Sequence, residues 1–199
     1  MRKILILGLT LALCTSTLFA AESKKKKSAE EMQKAEMEAW MKAATPGEYH
    51  KKLDTMVGTW SATVKSWMQP GAPPMESTGT SENQWILGGR WVESKFTGSF
   101  MGQPYTGIGY TGYDNIKKRY IGTWMDSMST SVMMSTGKAG SGNTYTFTAT
   151  MPDVMTGKTT TMTEKVKIID NDHHVFEMWG PGRDGKVYKM MEITYSRKK

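Results

Sequence analysis

The chain has 199 residues, 23% of them charged and 38% from the AVILMFWYC set, which fits one folded domain of ordinary size. That balance excludes a disordered chain and a multi-span membrane protein, and the single cysteine, Cys14, excludes a disulfide framework or a cysteine-based zinc site within one chain. The formal net charge is +7, but no arginine-rich stripe or aromatic–basic platform accompanies it, so nucleic acid is not indicated as a partner.

Residues 1–20 read as a secretory signal peptide. Arg2 and Lys3 form the basic start, Ile4 to Leu13 the apolar run, and Leu18-Phe19-Ala20-Ala21 supplies small residues for cleavage after Ala20 or one residue later. An uncleaved anchor is the alternative, although a spanning helix needs about 20 apolar residues. Leu13 stands before Cys14 where a lipoprotein signal needs a small residue. Cleavage removes the only thiol, as suits an oxidising compartment, so a periplasmic or secreted protein is expected. Lys24, Lys25, Lys26 and Lys27 come next. Positive charge at that point resists translocation, and the same cluster can hold an anionic envelope surface in a salt-sensitive way.

The Lys-rich arm, residues 21–45, carries a helical pattern from Ser28 to about Ala44. Ser28 and Glu31 have capping-box spacing, and Met37, Trp40, Met41 and Ala44 recur at i, i+3, i+4 and i+7. Pro46-Gly47 ends it. From Pro46 onward the 154 residues hold 21 Thr and 19 Gly, a mixture of strand formers and turn formers. A short helix over about 48–57 comes first. Ten strands are then predicted: 59–68, 77–87, 90–100, 104–111, 119–127, 130–136, 144–151, 159–169, 174–179 and 186–197. Gly88-Gly89 is a two-residue type I′ signal, and Asp114-Asn115, Asp170-Asn171-Asp172 and Arg183-Asp184-Gly185 are turn chemistry. No long helix intervenes to make parallel crossovers. The fold class is therefore all-β, an antiparallel meander of about ten strands preceded by short helices. Closure into a barrel leaves no exposed edges and is favoured over a two-sheet sandwich.

Gly58-Thr59-Trp60 on the first strand and Tyr195-Ser196-Arg197 on the last resemble the lipocalin and calycin pattern. That resemblance implies Gly58, Trp60 and Arg197 as structural residues, with the arginine beneath the indole at the closed end. A longer set of segments is similar to the bacterial domain-of-unknown-function 1579 family. It includes Glu48-Tyr49-His50-Lys51-Lys52-Leu53, Trp85-Ile86-Leu87-Gly88-Gly89-Arg90, Gly112-Tyr113-Asp114-Asn115, Trp124-Met125-Asp126-Ser127-Met128-Ser129-Thr130 and Met191-Glu192-Ile193-Thr194-Tyr195. The similarity covers 46–199 and implies a fold without an established chemistry.

Chemistry candidates are few. His173 and His174 point to opposite faces of a strand and cannot share an ion; His174 is the candidate for a single axial haem ligand, as in the nitrobindins. Met125, Met128 and Met133 offer thioethers that suit Cu(I), against the alternative of flexible apolar lining. Met133 and Met134, and Met190 and Met191, are expected to face opposite ways. Of the carboxylates in strands (Glu82, Glu93, Asp126, Glu164, Glu177 and Glu192), Glu192 points inward if Met191, Ile193 and Tyr195 face out. Asp126 equally suits a cap for the turn that follows it. Gly107-Ile108-Gly109-Tyr110-Thr111-Gly112 sits in a strand with no following helix, so it reads as barrel bending, not a phosphate loop. No Gly-x-Ser-x-Gly elbow or P-loop is present, which leaves little sign of an enzyme.

The leading expectation is an exported, non-catalytic lipocalin-like barrel that binds a small hydrophobic molecule and needs no cofactor. Trp85, Trp91, Tyr105, Tyr120, Trp124, Asp126, Met128 and Glu192 are the expected lining. The alternatives are a haem or copper carrier and an envelope interaction module held by Lys24–Lys27.

Overall fold

The structure is a computed structural model that describes residues 13–199, with the side chains of 13–24 and of Lys27 outside the description. The signal-peptide reading thus falls mostly outside the described residues. The chain divides after Thr45 into two units.

The first unit contains helix α1, Leu13–Ala44. It begins well before Ser28, so the expected cap lies inside the helix. No Gly or Pro interrupts the chain from Leu13 to Lys27, and nothing breaks the backbone hydrogen bonding there. Pro46-Gly47 follows its end. Met32, Met37, Trp40 and Met41 are all exposed. Among the described residues no helix is long and apolar enough to cross a membrane.

The second unit opens with a short helix, α2 (Glu48–Lys51), continued as a 3-10 turn over Lys52–Met56. Ten strands follow: β1 Gly58–Ser66, β2 Met75–Ile86, β3 Trp91–Phe100, β4 Gln103–Asp114, β5 Arg119–Asp126, β6 Met133–Ala139, β7 Thr144–Pro152, β8 Thr159–Ile168, β9 His173–Pro181 and β10 Val187–Arg197. Each pairs antiparallel with the next, and β1 pairs with β10 from Trp60↔Arg197 to Ser66↔Met191, so the sheet is a closed barrel. Closure satisfies the backbone groups that two edge strands would expose.

Two local expectations need correction. The β2–β3 connection is the four residues 87–90, not a two-residue Gly88-Gly89 turn: Leu87, Gly88 and Gly89 all have positive φ, and Gly89 N–H donates to Ile86 O at 3.2 Å. The sixth strand begins at Met133, three residues later than expected, because Ser129 Oγ accepts from Ser131 N–H and holds the preceding segment in a turn.

Strand alternation sorts the side chains. Inner positions run Trp60, Ala62, Val64 and Ser66 on β1, Val92, Ser94 and Phe96 on β3, and Tyr145, Phe147 and Ala149 on β7. Lys65, Lys95, Lys165, Lys167 and Lys189 occupy the opposite phase, on the outer face. α2 and its 3-10 turn plug one end. Leu53 is fully buried there against Val92, Tyr120, Tyr145, Phe147 and Ile168. The plug's carbonyls are taken by barrel side chains. Tyr120 OH donates to Tyr49 O at 3.0 Å and Tyr145 OH to Lys52 O at 3.2 Å. Trp60 Nε1 at 2.9 Å and Asn83 Nδ2 at 2.8 Å share Met56 O. Helix-end carbonyls, which have no intrahelical partner, are thereby satisfied inside the protein.

Candidate ligand site

Trp60 is fully buried at the plugged end, with the Arg197 guanidinium 4.1 Å over its ring. Such a cation–aromatic contact contributes about 0.5–2 kcal/mol. The same guanidinium donates to the carbonyls of Val57 at 2.7 Å, Thr55 at 3.3 Å and Asn171 at 2.9 Å. Gly58, at φ +125, leaves the space it fills; a Cβ there would collide with Arg197 Nη1. His174 lies beside this group, edge-on to Trp60 at 4.3 Å and stacked on Tyr195 at 4.4 Å. Burial, with Arg197 adding to it, pushes its pKa down to about 4, so the imidazole is neutral at physiological pH.

The inner wall changes character along the barrel axis. At the plugged end Trp60, Val92 and Tyr120 are at most 1% exposed, whereas Tyr105, Trp124, Met133, Met178, Met191 and Ile193 near the other end are part-exposed. Trp124 Nε1 donates to Tyr105 Oη at 3.0 Å, and Tyr105 OH donates to Asp126 Oδ2 at 3.1 Å. Asp126 Oδ1 accepts from Met128 N at 2.9 Å, so one carboxylate both caps the turn and terminates the aromatic chain. Gly107 and Gly109 make room for this arrangement. A Cβ at Gly107 would collide with the Trp124 indole, and at Gly109 it would lie 2.7 Å from it. The glycine spacing read as barrel bending is thus a clearance for an indole.

Glu164 stands halfway up β8. It is 6% exposed, faces inward and is paired across the ladders with Phe147 and Met178. Burial pushes its pKa up to about 7, against the opposing pull of a hydrogen bond from Ser135. Around it the lining is rich in thioethers. Met162, Met178 and Met191 have inner phase, and the β10 ladder slips between Lys189 and Met191. That bulge brings Met190 inward as well. A Cβ at Gly180 would lie 2.5 Å from Met190 Sδ and 3.0 Å from Met162 Cγ. Met190 and Met191 therefore do not face opposite ways, because the extra residue breaks the alternation.

The residues expected to line the site are dispersed. Tyr105, Trp124 and Asp126 lie together near the open end. Tyr120 and Trp85 also face inward but serve the plug, Trp85 Nε1 donating to Asp54 Oδ1 at 2.7 Å. Trp91 lies on the outer face against Gly112, whose Cβ would come within 2.7 Å of the ring. Met128 is on an exposed turn. Glu192 points outward, since Met191, Ile193 and Tyr195 are the inner set. There it and Glu177 hold Lys189 Nζ at 2.5 and 2.6 Å, and the ammonium lies over the rings of Trp67 and Trp179.

The metal candidates separate too. Met125 has outer phase, Met128 is exposed and Met133 faces inward, so they do not converge on one ion. Among the described residues no group of three His, Cys, Asp or Glu side chains could hold a metal ion. His174 is buried, edge-on to Trp60 and stacked on Tyr195, and its Nδ1 has no hydrogen-bond partner. Glu164 was legible as a strand carboxylate but not as the inner one. Its alternation with Met162, Val166 and Ile168 is the signal that identifies it. Two grooves, of about 370 and 460 Å³, lie on the outer side, one where the 67–74 loop meets Lys189 and Glu192, the other beside Lys95, Ile108 and Met125.

The model of one protein family, described as "Protein of unknown function (DUF1579)", matches residues 45–197, the plug and the whole barrel. The chain belongs to the DUF1579 family. No curated protein matches this DUF1579 chain in sequence. Among solved structures it is similar to Rv2717c from M. tuberculosis, at 10% identity and TM-score 0.56, covering 78% of this chain and 100% of that one. It is also similar to the S-type phycobiliprotein lyase CPES from Guillardia theta, at 14% identity and TM-score 0.52, covering 76% and 93%. At these identities the likeness shows the DUF1579 barrel fold alone.

Proposed function

We propose that this protein is an exported carrier that holds a small, largely apolar molecule in the open half of its barrel without transforming it. One observation carries the reading: inner-wall Tyr105, Trp124, Met133, Met178 and Met191, away from the plug, are part-exposed, whereas Trp60 and Tyr120 at the plug are fully buried. Sites for small molecules are concave, mostly apolar and furnished with a few placed polar groups, which describes Trp124, Phe96 and Met191 around Tyr105, Asp126 and Glu164. The lyase's printed name concerns a bilin-protein partner; for this chain the likeness supports only a barrel of the same kind. Export rests on the reading of residues 1–20.

The test is native mass spectrometry of protein purified from its own host, with tryptophan fluorescence titration against a panel of apolar molecules. A bound species, or saturable quenching lost in Trp124→Phe, supports the reading. A lumen that takes up nothing from the panel and arrives with nothing bound overturns it.

A further inference from the structure

The inner wall carries its charge asymmetrically. Among the described residues the one inward-facing cation is Arg197, and it is spent at the plug on three carbonyls and the Trp60 ring. The lysines of β1, β3, β8 and β10 are on the outer face. The open half instead presents two carboxyl groups. Asp126, at the rim, is engaged by Tyr105 and the Met128 amide. Glu164, deeper, is buried with a single hydroxyl partner on Ser135.

Its surroundings contain no counter-charge. β7 offers Phe147, β9 offers Met178, and Met162 and Val166 flank it on β8. The other inner titratable groups on these elements are Tyr145 on β7 and His174 on β9, both toward the plug. Tyr120 lies on β5, Tyr195 and Arg197 on β10, again at the plugged end. A buried carboxyl group without an ionic partner is costly unless something supplies one.

We propose that Glu164 is the anchor for the positively charged head of an amphipathic ligand, a lipophilic amine, whose apolar body lies among Trp124, Phe96 and the methionines. This inference rests on the carrier reading and narrows it. An alkanoate would set its carboxylate against Glu164 or Asp126 with no lumen lysine or arginine to meet it. An ammonium gains a carboxylate, aromatic faces and polarisable sulfur at once. Where Glu164 is protonated before binding, its proton leaves to solvent as the ammonium arrives. Amine affinity therefore rises as pH increases from 6 toward 8.

The experiment compares dodecylammonium, dodecanol and dodecanoate, below their micelle concentrations, by displacement of a neutral environment-sensitive dye from the full chain at pH 6 and pH 8. The expected result is that at pH 8 dodecylammonium binds at least about tenfold more tightly than either other probe, since a buried charge pair is worth one tenfold step or more. Glu164→Gln should remove that preference. Calorimetry of the unmutated protein in buffers of different ionisation heat should show proton release at pH 6, a readout that does not depend on the variant folding. Dodecanol binding without an amine preference, or dodecylammonium binding with no proton release at pH 6, overturns this inference and leaves the carrier intact. If none of the three binds, both fall.

Discussion

At the scale of single residues, Glu164 and His174 pull stability in opposite directions with pH. Glu164 has a folded pKa of about 7, above its ordinary 4.5, so the unfolded chain ionises first as pH rises and the folded state is disfavoured progressively between 4.5 and 7. His174 has a folded pKa of about 4, below its ordinary 6.5, so stability is lost as pH falls from 6.5 to 4. Each effect is on the order of 3 kcal/mol. Urea denaturation of Glu164→Gln should show a stability advantage over the parent that is small at pH 4.5 and grows to that order by pH 8. His174→Phe should gain its advantage at the acid end instead. Matching pH profiles for parent and variants would contradict both assignments. Arg197→Lys keeps the charge but loses the planar fork to Val57, Thr55 and Asn171, and should cost about 2–4 kcal/mol in the same measurement. Gly58→Ala should be comparably damaging, since its φ is in the left-handed region and Arg197 occupies the space.

At the scale of elements, β4 and β5 form a unit in which missing side chains matter as much as present ones. Gly107→Ala pushes a methyl into the Trp124 indole and should break its hydrogen bond to Tyr105, altering near-ultraviolet circular dichroism and lowering stability by about 1–3 kcal/mol. Gly47→Ala, with open space and an extended φ of −131, should leave both unchanged. Much of this level was legible in the sequence. Thr-rich runs separated by Asp, Asn and Gly turns locate ten strands, and their short connections permit only an antiparallel meander. Inward and outward faces were harder to read. Trp91 and Trp124 look alike in the chain, but one strand alternates its aromatic residues outward over Gly112 and the other inward over Gly107 and Gly109. Glu192 faces outward because Met191, Ile193 and Tyr195 are the inner set; the bulge lies before Met191 and leaves that alternation regular. Glu164 is in phase with Met162, Val166 and Ile168, which marks it as internal.

At the scale of the molecule, closure gives a barrel with one end plugged by α2 and its 3-10 turn, and the proposed ligand site lies in the other half. The plug is fixed by hydrogen bonds between side chains and helix-end carbonyls, and its residues lie within the barrel's own unit. A chain of residues 46–199 should therefore unfold cooperatively with the urea midpoint of the full chain, and a lower midpoint or a broadened transition would show that the arm contributes to the barrel. In the other half Phe96 and Met162 are buried, while Tyr105, Trp124, Met133, Met178 and Met191 are part-exposed. Its methionines, unbranched and mobile about three bonds, can part around a guest without breaking the ladders.

The most direct test uses those methionines as reporters. In a chain labelled with ¹³C at the methionine methyl groups, addition of saturating dodecanol or dodecylammonium should shift the signals of Met133, Met162, Met178, Met190 and Met191, which face the lumen, and leave Met125, Met128 and Met134 in place. Shifts confined to the outer methionines, or no shift from any of them, would contradict a ligand-holding lumen.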